Sequence, residues 1–172
     1  MEKIASFTIN HIKLLRGIYV SRKDMLPNGD VVTTFDIRMK EPNREQAVEQ
    51  AALHTMEHLA ATFLRNHPTW GKRIIYWGPM GCLTGCYLIM KGKPAPQDLL
   101  PLMISAFEYL RDYDDVIPGA QAVNCGNYLL HDLPMAKYEA NLFVKILKEN
   151  PCFDYPQSKR INTEKGLTFF DS

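Results

Sequence analysis

The stretch PNREQAVEQAALHTMEHLAATFLRNHP, residues 42–68, decides the architecture. Asn43 is a good N-cap, and Gln46 three residues on makes something close to a capping box. The pattern predicts a long helix from Arg44 to about Asn66, ended by His67-Pro68. At about 100° per residue, Val48, Ala52, Met56, Leu59 and Phe63 share one stripe, which is expected to meet a sheet. His54, Glu57 and His58 cluster on the other side, among Ala47, Ala51 and Ala61. That second face is too poor in charge for ordinary solvent-washed surface. It reads as the wall of a site or an interface.

Working outward, the segments before this helix are β-rich: Leu15 to Val20 and Val31 to Met39. Between them, Pro27-Asn28-Gly29-Asp30 carries the Asn-Gly signal of a hairpin. After the helix, Arg73–Trp77 and Tyr87–Met90 read as strands flanking the turn-rich Gly78-Pro79-Met80-Gly81-Cys82. Pro96 to Asp112 predicts a second helix with Leu99, Met103, Ala106, Phe107 and Leu110 buried. Pro118-Gly119 breaks the chain. A third helix, about Leu133 to Glu149, buries Ala136, Ala140, Phe143, Val144 and Leu147 and stops at Pro151. From Cys152 onward no strong pattern emerges. The expectation is an α+β fold, one domain over 1–172, with an antiparallel sheet and helices packed on one face.

Composition narrows the function classes. A chain of 172 residues can bury one sizeable core, and eight Tyr, eight Phe and two Trp exclude a disordered chain. A net charge of +1 gives no reason to expect nucleic acid or an acidic membrane as partner. Four Cys are too few for a disulfide scaffold, so reduced thiols are expected. Glu2 and Lys3 interrupt an N-terminus with no apolar run fit for a signal peptide, and no stretch approaches the roughly 18 apolar residues of a membrane span. A soluble, cytoplasmic domain is expected.

The sharpest chemical signal is His54-Thr55-Met56-Glu57-His58, an H-x-x-E-H pattern within the helix. Residues four apart sit about 40° apart around the axis, so both imidazoles can reach one metal ion. Glu57 flanks the same point and could take a proton there without being a ligand. The plain alternative is a pair of histidines that only pack. A catalytic divalent site needs a third ligand and an open position. Cys82, Cys86, Cys125, Cys152, His11, His67 and His131 are the candidates. Cys125 lies in the tight Asn124-Cys125-Gly126-Asn127 segment, where backbone can approach a site closely. Cys82 sits in an exposed-turn context where a nearby cation would make the thiol reactive. Its C-x-x-x-C spacing with Cys86 does not suit a zinc knuckle, and Cys86 and Cys152 read as apolar packing. On residue type alone, Ser6, His11 and Arg38 read as surface.

Taken together, the segments resemble the S-ribosylhomocysteine lyase (LuxS) family. The matching stretches are Ser6-Phe7 with His11, FDIRMKEPN (35–43), LHTMEHLAATFLRN (53–66), GPMGCLTG (78–85) and NCGNYLLH (124–131), in family order. The resemblance implies a homodimer with two active sites at its interface. It implies metal ligands His54, His58 and Cys125 plus water, with Fe(II) the native ion and zinc or cobalt as substitutes. It implies cleavage of S-ribosylhomocysteine to homocysteine and 4,5-dihydroxy-2,3-pentanedione, the autoinducer-2 precursor, with Cys82 and Glu57 as the acid–base pair. Ser6, His11 and Arg38 would hold the substrate or assist proton transfer. Two positions depart from the family pattern: Cys86 replaces an aromatic, and Asn10 stands where Asp is common.

Two other readings compete. An inverted-zinc metallopeptidase also uses H-x-x-E-H, but its third ligand is usually a downstream carboxylate and such enzymes are usually larger, with a cleft for extended peptide. A metal-stabilised interaction module would need a fourth protein ligand, with Cys82 the candidate, leaving no place for substrate.

Overall fold

The computed structural model describes residues 8–156 and the short strands 159–161 and 169–171. Ser6 lies outside the described residues. Strands β1 (Gly17–Met25) and β2 (Val31–Arg38) form an antiparallel hairpin whose register pairs Gly17 with Arg38 and Met25 with Val31. Gly29 closes the turn with φ of 84°, a conformation that favours glycine and explains the Asn-Gly signal. Helix α1 (Gln50–Asn66) follows, then β3 (Ile74–Pro79) and β4 (Gly85–Lys91). The sheet order is β1-β2-β4-β3 with all neighbours antiparallel, and helices α2 (Leu100–Asp112) and α3 (Leu133–Glu149) complete the core. A one-turn 3₁₀ segment, Pro96–Leu99, leads into α2, so the single helix expected over Pro96–Asp112 begins tightly wound. The backbone also forms a two-stranded ribbon of β5 (Lys159–Ile161) and β6 (Phe169–Asp171), in a tail whose sequence gave no strong pattern.

One face of the sheet contributes Ile18, Phe35, Ile37, Trp77, Cys86, Leu88 and Met90 to a common core with the three helices, as expected of an α+β fold. Val48, Ala52, Met56 and Leu59 of the expected stripe are buried there, while Phe63 is half-buried against the edge. The buried stripes expected for α2 and α3 are buried in full. Packing of this kind makes a Leu→Ala change at a core position cost about 2–5 kcal/mol.

The first helix starts later than its sequence suggests. Asn43 is not its N-cap but takes a left-handed conformation with φ of 61°, and the helix begins at Gln50 with Glu49 as N-cap. Tertiary bonds hold the intervening residues out of the helix. The Val48 amide donates to Leu83 O at 2.9 Å, and Glu45 accepts the Glu41 amide while pairing with Arg16 at 2.8 Å. Gln46 bonds Glu49 rather than closing a capping box. Those contacts outweigh local capping preference.

The opposite sheet face is also covered. Alternation along β2 puts Asp36 and Arg38 on the side away from Phe35 and Ile37. The segment after α3 crosses that side: Ile18 N–H donates to Cys152 O at 2.9 Å, and Tyr155 stacks on Tyr19 with ring centroids 4.6 Å apart. A Cβ on Gly17 would lie 2.1 Å from Cys152 O, so the close approach requires glycine.

Candidate metal centre and active site

Helix α1 presents His54, Glu57 and His58 on its second face, and the chain between α2 and α3 folds over that face. The Nδ1 of His54 lies 2.7 Å from Leu130 O, and that of His58 lies 2.7 Å from Pro118 O. A carbonyl oxygen only accepts, so each Nδ1 carries the ring proton and each Nε2 is left with a lone pair. Those two Nε2 atoms face each other at 3.1 Å. Two lone pairs at that separation repel unless a cation or proton lies between them.

Cys125 Sγ is 3.4 Å from His54 Nε2 and also accepts the Asn127 amide at 3.4 Å. His131 adds a fourth donor. The Thr55 hydroxyl donates to Ala51 O at 3.0 Å, so it can only accept from His131 Nδ1 at 3.2 Å. The His131 Nε2 is then a third ring lone pair, buried with no hydrogen-bond partner. Burial, and then the neighbouring His54 and His58, push its pKa below the ordinary imidazole value. The donor atoms of His54, His58, Cys125 and His131 all lie within 4.8 Å of one another. Converging imidazole nitrogens and a thiol, with every Nδ1 anchored, are the donor set of a borderline-soft divalent cation. The residues therefore fit a metal.

Beside this cluster is a cavity of about 390 Å³ lined by His54, Glu57, Met80, Gly81, Leu83 and Asn127, among others. Glu57 thus shares a wall with a metal-ligand candidate, as its place three residues after His54 suggested. Cys82 lies between two lining residues, on the exposed turn expected for it. Leu83 holds that turn in a left-handed conformation (φ 59°), a cost of order 1 kcal/mol that its amide bond to Met80 O and its carbonyl bond from Val48 help offset.

Arg38 corrects the surface reading. It is 3% exposed, and its Nε and one terminal nitrogen clamp Asp36 at 3.0 and 2.6 Å. The other terminal nitrogen donates to Thr84 Oγ1 at 2.5 Å and lies 3.7 Å from Cys82 Sγ. Thr84 Oγ1 is itself 3.1 Å from that sulfur. Burial opposes ionisation of Cys82, but the hydrogen bonds from Thr84 and the adjacent guanidinium outweigh it and hold the thiol below its ordinary pKa. The signal was present in the sequence: Asp36 and Arg38 are two apart in a strand and must share a face.

Cys86 is fully buried with its thiol pushed up, first by burial and then by Glu57. It packs as an apolar residue, on the core side of β4. His11 bonds locally to Ile9 O at 2.9 Å and is not among the residues lining the cavity. His131, Asp36 and Thr84 are the neighbours that sequence reasoning did not single out for roles. Only His131 stood among the open ligand candidates.

Comparison with known proteins agrees with this geometry. A family model described as S-Ribosylhomocysteinase (LuxS) matches residues 4–152. The chain is similar to an S-ribosylhomocysteine lyase of Phocaeicola vulgatus, 61% identical over 150 residues that cover 87% of this chain and 92% of that protein. It is 59% identical to one of Porphyromonas gingivalis, over 84% of this chain and 91% of the relative. A third, from Desulfotalea psychrophila, is 55% identical over 87% and 94%. The match takes in the helix that carries the histidine pair, the Arg38 strand, the Cys82 turn and the Cys125 segment, and the chain belongs to the S-ribosylhomocysteinase (LuxS) family.

Proposed function

We propose that the protein is a carbon–sulfur lyase that cleaves the thioether of S-ribosylhomocysteine, giving homocysteine and 4,5-dihydroxy-2,3-pentanedione. The family match and the names of its relatives support this reading. The observation that carries it is the pair of Nε2 lone pairs at 3.1 Å beside Cys125, opening on a cavity that also holds Glu57.

The chemistry demands mobile protons. The ribose carbonyl must move from C1 to C2 and then to C3, each shift taking a proton from one carbon and returning one to its neighbour. With the carbonyl at C3, loss of a proton from C4 expels the C5 sulfur as homocysteine thiolate, and the resulting enol tautomerises to the diketone. Glu57 and Cys82 are the proposed proton carriers. Arg38 favours the Cys82 thiolate and holds it in place through Thr84. The same guanidinium edge suits substrate oxygens. His54, His58 and Cys125 would hold one Fe(II) per subunit, for which zinc or cobalt can substitute. When bound, such an ion supplies Lewis acidity to the developing oxyanion. His131 stacks on His54 at 4.2 Å and fixes that ring.

Ser6 and His11 are proposed substrate contacts in a cytoplasmic homodimer whose active sites lie at the interface. Neither nucleic acid nor membrane is a proposed partner; among the described residues no helix is long and apolar enough to cross a membrane. The diketone would serve autoinducer-2 signalling and the homocysteine the activated methyl cycle.

Cys82→Ala separates this reading from a structural metal module. The lyase reading expects the variant to keep its metal and lose turnover. Loss of the metal from Cys82→Ala would instead make Cys82 a ligand and remove it as a proton carrier.

A further inference from the structure

Asp36 holds more than Arg38. The Tyr155 hydroxyl donates to Asp36 Oδ2 at 3.0 Å, the oxygen that also accepts from Arg38 at 2.6 Å. Tyr155 reaches this point because the chain after α3 is fastened across β1: Cys152 bridges to Gly17, and the Tyr155 ring lies nearly parallel to Tyr19, 8° between planes. Asp36 is 1% exposed, so no bulk water competes for its oxygens. The family match ends at residue 152, so it does not extend to Tyr155.

We infer that Tyr155 is a positioning residue for the reaction, setting the Asp36–Arg38 pair so that the guanidinium edge bonded to Thr84 also meets Cys82. The physical reason is charge sharing. Asp36 neutralises Arg38, and the more completely it does so, the weaker the positive field left at the Cys82 sulfur. A phenol proton directed at Oδ2 draws off part of the carboxylate's charge and fixes its plane. More of the guanidinium's charge is then felt at Sγ, 3.7 Å from the nearest nitrogen. The groups facing that sulfur are Arg38 with Asp36 behind it on β2, Thr84 in its own turn, and Tyr87 on β4. Tyr155 is the tail's contribution to this set.

The inference rests on the proposed role of Cys82, but its test reads the thiol itself. Iodoacetamide alkylation of metal-loaded protein is followed against pH, with modification scored on the Cys82 peptide by mass spectrometry. Tyr155→Phe keeps the ring that stacks on Tyr19 and removes only the hydroxyl. The wild-type midpoint is expected below the ordinary thiol value of about 8.5, and the variant's about half a unit higher. The acidic limb of the kcat/KM profile should shift upward by the same amount. Coincident midpoints overturn the inference, and a lower Tm with coincident midpoints does so equally, because it marks Tyr155 as packing alone. Failure of the Cys82 role would look different: Cys82→Ala would keep turning over, whatever the midpoints did.

Discussion

At the scale of single residues, the site is a set of protons assigned by geometry. Both α1 histidines spend Nδ1–H on backbone carbonyls, which leaves two lone pairs aimed at one point. Glu57, on the same helix, lines the adjoining cavity, where it is the proposed proton carrier. Glu57→Gln is nearly isosteric and is expected to keep the metal and the dimer while lowering kcat by about 10²–10⁴-fold, the usual worth of a positioned general acid–base group. Metal analysis, size-exclusion chromatography and steady-state kinetics check this together; wild-type-like turnover removes Glu57 from the mechanism. The histidine pair was legible because i, i+4 spacing within a helix leaves little geometric freedom. Arg38 was misread as surface because an isolated polar residue in a strand usually faces water, and its burial depends on a covering segment more than 110 residues later. Choosing among seven third-ligand candidates needed either the resemblance or the fold, since nothing local brings Cys125 to His54.

At the scale of elements, the best-read segments are those whose boundaries are set locally. Helix α3 runs from Leu133 to Glu149 as expected, because Asp132 caps it by accepting the Met135 amide at 2.9 Å and Pro134 suits the first turn. The hairpin likewise follows from its Asn-Gly turn. The start of α1 was misread because Glu45 and Val48 are bound by partners distant in sequence. The C-terminal strap depends on the same kind of long-range contact, at Gly17. Gly17→Ala would place a methyl 2.1 Å from the Cys152 carbonyl oxygen, and is expected to cost about 1–3 kcal/mol. Thermal unfolding should record that as a Tm lower by about 2–10 °C. Gly29→Ala is the control, since its Cβ would meet nothing within 4 Å and only the positive φ opposes it. Equal stability of Gly17→Ala and wild type would contradict the close approach described for the strap.

At the scale of the whole molecule, one core fixes both halves of the proposed site. The sheet's helix-facing side anchors α1 and with it the histidines, while its other side holds the Asp36–Arg38–Cys82 chain under the strap. The α+β architecture was legible from periodicity. The proposed dimer was not, and comes from the resemblance alone; exposed Ile12, Val123 and Leu129 are apolar side chains that a second copy could cover. Thioether cleavage with a metal at His54, His58 and Cys125 is tested by release of free thiol from S-ribosylhomocysteine by anaerobically purified, metal-analysed protein. Steady release that stops on chelation and returns with Fe(II) or Co(II) is the expected result. Absence of thiol release from folded, fully metal-loaded protein would rule out the lyase reaction.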